Sequence, residues 1–314
     1  MIRQLTGSGR IRQTLLAVLF WMGLALCVYV VKEHWRELRE LLIGVGANGA
    51  VVVVLAFVLA WAAAVSSWRN VVFAYGDSGM NWPEAARQLA LLLLGKYLPG
   101  GVWGFAARLA DSASRQPLAN MAAAGLTEQW FGLTLVTLAG SAGWMAAQLN
   151  APFVLFGVIA LPAVVMVSHW VMRKSLRGVW QYLPTRWQQK IQIGNDHVDQ
   201  SSLWKAAALT TVQVVLMLAV VGFILISAFE VDAMTALAVA GAYGLAVTVG
   251  MLAIFVPGGI LVRESVFVVL CQGWLTQDEA IVLAGGLRLA FTIFDLGAGL
   301  VALCMRLRRG VNEK

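Results

Sequence analysis

The sequence predicts an all-α polytopic membrane protein, with about six full spans plus two re-entrant helical hairpins in a pseudo-inverted repeat. Three observations predict it. First, 60% of the 314 residues are hydrophobic and only 12% are charged, where a soluble chain carries about twice that charge. The apolar residues come in long runs instead of amphipathic stripes, as bilayer-spanning helices require, and no alternating segments of barrel type appear. Second, the basic residues cluster in particular loops. Third, two proline–glycine–glycine triplets interrupt membrane-grade sequence, at Pro99-Gly100-Gly101 and Pro257-Gly258-Gly259. Proline removes a backbone donor and clashes with the preceding turn. Backbone broken at membrane depth survives only inside protein or beside a wet cavity.

The elements follow in order. Arg3, Arg10 and Arg12 precede an apolar run from Thr14 to Val31 that lacks a small-x-small cleavage site before Lys32. It reads as a first, uncleaved membrane helix. Residues 32–40 alternate Lys32, Arg36 and Arg39 with Glu33, Glu37 and Glu40, a charge-paired extension of that helix. Further spans are expected over 50–72, 119–147, 152–172, 203–229 and 279–305. The broken regions cover 84–112 and 234–274. Each arm of the first is too short to cross, since a span needs about 20 residues. Arm 234–256 of the second is long enough to cross by itself.

Loop charge sets the orientation. Arg173, Lys174, Arg177, Arg186, Lys190 and Lys205 fill one connection, and Arg306, Arg308, Arg309 and Lys314 end the chain. Positive loops stay cytoplasmic, so both termini are expected inside. The turns at Glu230 and Asp232, and at Asp278 and Glu279, carry no base and are expected outside. With these faces fixed, 84–112 must begin and end inside, and 234–274 must begin and end outside. Two hairpins entering from opposite faces are the pattern of an inverted repeat. Leu98-Pro99-Gly100-Gly101-Val102 and Val256-Pro257-Gly258-Gly259-Ile260, offset by 158 residues, are its trace in sequence. The chain then forms one integral membrane domain over 1–314, with halves 1–172 and 203–314 joined by a cytoplasmic linker 173–202. Trp180, Tyr182 and Trp187 suggest an interfacial helix in that linker.

Charges within apolar sequence are costly, by about 2.5–3.5 kcal/mol on insertion scales, and mark cavities or ion pairs. Here they are Lys96, Arg108, Glu128, Arg263, Glu264, Arg288 and Asp295. If the returning arm starts at Gly259, its free N–H groups and dipole face the tip beside Arg263, a seat for phosphate. Lys96 and Arg108 offer the same in the first hairpin, and Glu128, Glu264 and Asp295 are the partners for these bases.

Other chemistry is weaker. Gly44-Val45-Gly46-Ala47-Asn48-Gly49 fits the dinucleotide pattern, but a membrane helix and no βαβ unit surrounds it. Asn195-Asp196-His197-Val198-Asp199 has metal-ligand types without a second cluster, so no metal or other cofactor is expected. His34 and His169 have no catalytic partner by spacing, and no catalytic residue is assigned. Cys27, Cys271 and Cys304 read as small hydrophobes. The net charge of +7 is a topology signal that points to anionic headgroups, not nucleic acid. Trp21, Trp35, Trp68, Trp82, Trp170, Trp204 and Trp274 read as an interfacial belt.

Leu94-Gly95-Lys96-Tyr97-Leu98-Pro99-Gly100-Gly101 followed by Arg108 resembles the first signature of the lysylphosphatidylglycerol synthase transmembrane-region family, the flippase-like domain proteins. Phe255-Val256-Pro257-Gly258-Gly259-Ile260-Leu261-Val262-Arg263-Glu264 resembles the second. Glu128 stands where the family tends to have an acidic residue followed by arginine; here the follower is Gln129. The resemblance covers nearly the whole chain. It implies an inner-membrane protein that moves or binds a lipid, without the soluble domain that performs aminoacyl transfer in fused members.

The expected partner is a membrane phospholipid or a polyprenyl-phosphate-linked lipid, held between the two tips by Lys96, Arg108, Arg263 and Arg288. Two readings from other classes stay open. One is a membrane-embedded transferase or phosphatase acting on a lipid-linked substrate. The other is a non-transporting scaffold for a glycosyltransferase or lipid-synthesis enzyme. Oligomeric state is not readable.

Overall fold

The computed structural model describes Lys32 and residues 35–76, 79–95, 103–112, 117–180, 198–253 and 262–312. Among them the chain is helical, with no strand. The helices are α1 (Trp35–Ala74), α2 (Trp82–Gly95), α3 (Trp103–Ser112), α4 (Leu118–Gln148), α5 (Leu161–Trp180), α6 (Gln200–Phe229), α7 (Ala233–Leu252), α8 (Val262–Leu270) and α9 (Gln277–Asn312), with a 3-10 segment, Pro152–Ala160, ahead of α5. Six segments are long and apolar enough to cross a membrane: Leu42–Ala74, Leu118–Gln148, Phe156–Ser175, Gln200–Phe229, Ala233–Leu252 and Gln277–Val301. This is a multi-pass membrane protein. The expected first span over 14–31, most of linker 173–202 and both proline–glycine–glycine triplets lie outside the described residues.

Local chemistry sets the helix starts. Asn81 Oδ1 accepts from Glu84 N–H at 3.0 Å, and Glu84 Oε2 accepts from Asn81 N–H at 3.3 Å. This reciprocal box opens α2. Thr276 and Glu279 make the same box for α9. Asp199 caps α6 and Asp232 caps α7, each accepting from two backbone N–H groups of its first turn. Between α6 and α7, Glu230 takes the left-handed conformation, φ 52°.

Two features bear on the sequence reading. Charged residues 35–40 belong to α1, which leads into the second span and bends at Gly46, φ 70°; their junction with the expected first helix lies outside the described residues. Glycine carries that conformation without steric cost. The arm expected over 234–256 is a continuous 20-residue helix, about 30 Å long at 1.5 Å per residue, enough to cross by itself.

Two hydrophobic clusters form the core. One gathers Trp68, Phe131, Leu135, Val165 and Leu203. The other gathers Phe57, Val221, Tyr243, Phe267, Leu283 and Leu287. Much of α1 remains exposed and apolar, including Val51, Leu55 and Leu59, which suits contact with acyl chains. The packing partners are α1 with α6, α2 with α3 and α9, and α7 with α8 and α4. Helices α1 and α6 run antiparallel, since Gly44 meets Ala228 at one end and Ser67 bonds Ala206 and Thr210 at the other.

Glycines permit the closest crossings. A Cβ on Gly241 would lie 2.3 Å from Trp144 N, and one on Gly140 would lie 2.9 Å from Leu245 N. Helices α4 and α7 thus touch backbone to backbone, a small-residue seam typical of membrane helices. Thr137 and Thr248 hydroxyls bond across it at 3.0 Å.

Candidate functional site

Helices α2 and α3 are antiparallel. Gly95 meets Gly104 at one end, where a Cβ on Gly95 would stand 2.2 Å from Gly104 Cα, and Arg87 meets Asp111 at the other, Nη2 to Oδ2 2.6 Å. Helices α7 and α8 are antiparallel too. Gly250 faces Arg263, and Tyr243 lies edge-on to Phe267 at 5.8 Å between centroids. In each pair the ends in contact are those that flank a triplet in the sequence.

Arg108 sits on α3 and is 1% exposed. Its guanidinium donates from Nη1 to Glu128 Oε2 and from Nη2 to Glu128 Oε1, the latter at 3.4 Å, so α3 is tied to α4 by a forked pair. Its Nε donates to the Gln88 carbonyl at 3.3 Å. Its guanidinium carbon lies 3.7 Å from the Trp68 ring centroid, a cation–π distance. Trp68 Nε1 in turn donates to Gln88 Oε1 at 2.9 Å. Every face of Arg108 is occupied by protein.

The second cluster is looser. Arg288 on α9 donates to Glu264 Oε1 on α8. Arg263 Nη2 stands 3.5 Å from the same oxygen, at the edge of hydrogen-bond range. Its guanidinium carbon is 5.6 Å from the Tyr243 ring centroid. Glu264 Oε2 is buried without a hydrogen-bond partner. The side chains of Arg263, Glu264 and Arg288 retain 18%, 22% and 25% exposure, so this cluster is reachable. One carboxylate serves two guanidiniums, which leaves one positive charge uncompensated within the triad.

The sequence-predicted set therefore divides. Arg108 joins Glu128, and Glu264 joins Arg263 and Arg288. Asp295 lies half-buried on α9, two turns beyond Arg288 and one turn before Gly299, which packs on Leu94 of α2. Lys96, Pro99, Gly100, Gly101, Pro257, Gly258 and Gly259 lie outside the described residues. So do Asn195, Asp196 and His197.

Sequence reasoning missed several partners. Trp68 is not an interfacial residue: it is fully buried, 0% exposed, beneath Arg108. Trp35, Trp170 and Trp204 are exposed, as a belt requires. Thr127 links the Tyr75 hydroxyl, at 2.7 Å, to His169 Nε2, at 3.2 Å, in a buried polar chain next to Glu128. The only sequence signal for that chain was the cost of leaving such groups unpaired in hydrocarbon. Cys271, fully buried after α8, is a small core residue. No group of three His, Cys, Asp or Glu lies together among the described residues.

Compared with known proteins, the chain matches no family model, no curated protein and no solved structure. The functional reading therefore rests on the residues themselves.

Proposed function

We propose that this chain is a flippase-like lipid translocator of a cell or inner membrane, with both termini cytoplasmic. It holds an anionic phospholipid or lipid-linked phosphate headgroup between two re-entrant hairpins, α2–α3 and α7–α8. The observation that carries this reading is the Arg263–Glu264–Arg288 triad. Two guanidiniums share one carboxylate beside a helix break, in an apolar chain where an uncompensated charge is expensive. A ligand anion supplies what the triad lacks, and arginine binds phosphate with forked hydrogen bonds.

The inverted repeat is part of the proposal, and the packing supports it. If α1, α2, α3 and α4 correspond to α6, α7, α8 and α9, most contacts come in matched pairs. Helix α2 packs on α9 as α7 packs on α4, α3 on α4 as α8 on α9, and α1 on α9 as α6 on α4. The counterparts α1 and α6 run antiparallel, as inversion demands. Each returning helix is also tied to the next helix by an ion pair, with the charges exchanged: Arg108 to Glu128, and Glu264 to Arg288. Each half thus lends its hairpin to the other, a geometry suited to rocking around a fixed midplane site. The resemblance to the flippase-like family points the same way.

The test is leaflet exchange. Purified protein in vesicles should move a labelled anionic phospholipid between leaflets. Arg263→Ala and Arg288→Ala should each slow exchange by at least about tenfold, as loss of a charge-assisted contact predicts. Exchange equal to that of protein-free vesicles would reject translocation.

A further inference from the structure

Building on that site, we infer that Glu264 is its specificity-determining residue: it admits a singly charged phosphate ester and excludes a doubly charged one. Arg263 and Arg288 bring two positive charges and Glu264 one negative charge. The helices packed on α8 are α7 and α9. From α7, which carries no charged side chain, the titratable group facing the triad is Tyr243, beneath Arg263. From α9 it is Arg288. Asp295 lies two turns further along, and Asp278 and Glu279 stand about nine residues away at the start of the same helix. Within the triad the formal charge is thus +1, two guanidiniums against one carboxylate.

An anion seated on Arg263 stands close to Glu264, because Arg263 Nη2 is 3.5 Å from Glu264 Oε1. Arg288 holds that carboxylate in place from the far side. Repulsion between the carboxylate and the ligand grows in proportion to the ligand's charge. A monoanion neutralises the site. A dianion leaves one negative charge in a water-poor setting, where an unpaired charge is strongly disfavoured. The first cluster contributes no such filter, since Arg108 is enclosed by Glu128, Trp68 and Gln88.

The experiment measures binding of phosphatidylglycerol, a singly charged diester, and phosphatidic acid, a monoester carrying its second charge, to the full chain in neutral-lipid nanodiscs at pH 8.5. The wild type should prefer the diester by about tenfold or more, and Glu264→Gln should cancel or reverse that preference. Equal or tighter monoester binding by the wild type overturns the inference, and this arm needs no variant to fold. Glu264→Asp, which keeps the charge, should retain the ranking; loss of ranking in it counts against a charge filter. If both lipids bind without ranking and Arg263→Ala weakens both, the anion site stands and the filter falls. If neither lipid nor its water-soluble ester binds, the site reading fails with it. Water-soluble glycerophosphoglycerol and glycerol 3-phosphate separate the sources. The same ranking with these, in the absence of lipid binding, would keep the filter and assign it to soluble esters.

Discussion

Arg108 and Arg263 each follow a proline–glycine–glycine triplet, seven and four residues on, yet their surroundings differ in kind. Arg108 has a carboxylate, a carbonyl and an indole on three sides, and water has no access to it. Removing one member of a buried pair strands the other, at a cost of about 3–5 kcal/mol. Arg108→Ala and Glu128→Ala should each lower the melting temperature in detergent by an amount matching that range. Arg263→Ala removes a partly exposed side chain whose nearest acid stays paired to Arg288. It should leave the melting temperature nearly unchanged while slowing lipid exchange. The sequence made these arginines look alike; only their neighbours separate them. Trp68 carries the same lesson. In a membrane both lipid-facing and core positions are apolar, so a tryptophan near a span end reads as an anchor whichever way it points.

At the scale of elements, two devices hold the helices in register. One is the glycine seam between α4 and α7. Gly241→Val places methyl groups where Trp144 N already stands 2.3 Å from the Cβ position. The helices must part, and overpacking of this kind costs about 1–3 kcal/mol or more. The variant should melt earlier, and a Thr137→Val control, which removes only the hydroxyl bond to Thr248, should melt closer to wild type. The other device is the aspartate caps. Hydrogen bonds from the Thr235 hydroxyl and then the Thr235 and Met234 N–H groups hold the Asp232 carboxyl below its ordinary range. The Ser202 hydroxyl, with the Ser201 and Ser202 N–H groups, does the same for Asp199. A carboxyl depressed in the folded state adds stability that is fully present above about pH 4 and fades as pH falls through its folded value. Asp232→Ala should lower the melting temperature at neutral pH and flatten its decline on acidification, whereas Asp232→Asn, which still caps, should retain most of the neutral-pH stability. The aspartate and threonine caps were readable from residue order, because capping is local. The glycine seam was not, because its partners are about a hundred residues apart.

Over the whole molecule, orientation is the property to test. In a background without Cys27, Cys271 and Cys304, a cysteine at Glu230 should react with an impermeant thiol reagent added outside intact cells. One at Lys205 should react only after permeabilisation. The reverse labelling would invert the topology and with it the entry faces of both proposed hairpins. The packing of α2 on α9 and of α7 on α4 also predicts cooperative unfolding. Variants in α2 and α9 that widen the Gly299–Leu94 contact should destabilise both hydrophobic clusters together, as judged by a single melting transition shifted as a unit.

The sequence alone determined that the chain is helical and membrane-embedded, where most spans fall, and which apolar segments carry costly charges. Those properties follow from the bilayer acting as solvent: hydrocarbon demands long apolar runs with internally paired backbone, and both leave a local record in residue order. Tertiary structure decided which charges are sealed and which are open, which tryptophan lies under an arginine, and which helices cross at glycine. Those depend on contacts between segments distant in the chain, where a residue's type is unchanged and only its neighbours set its energy.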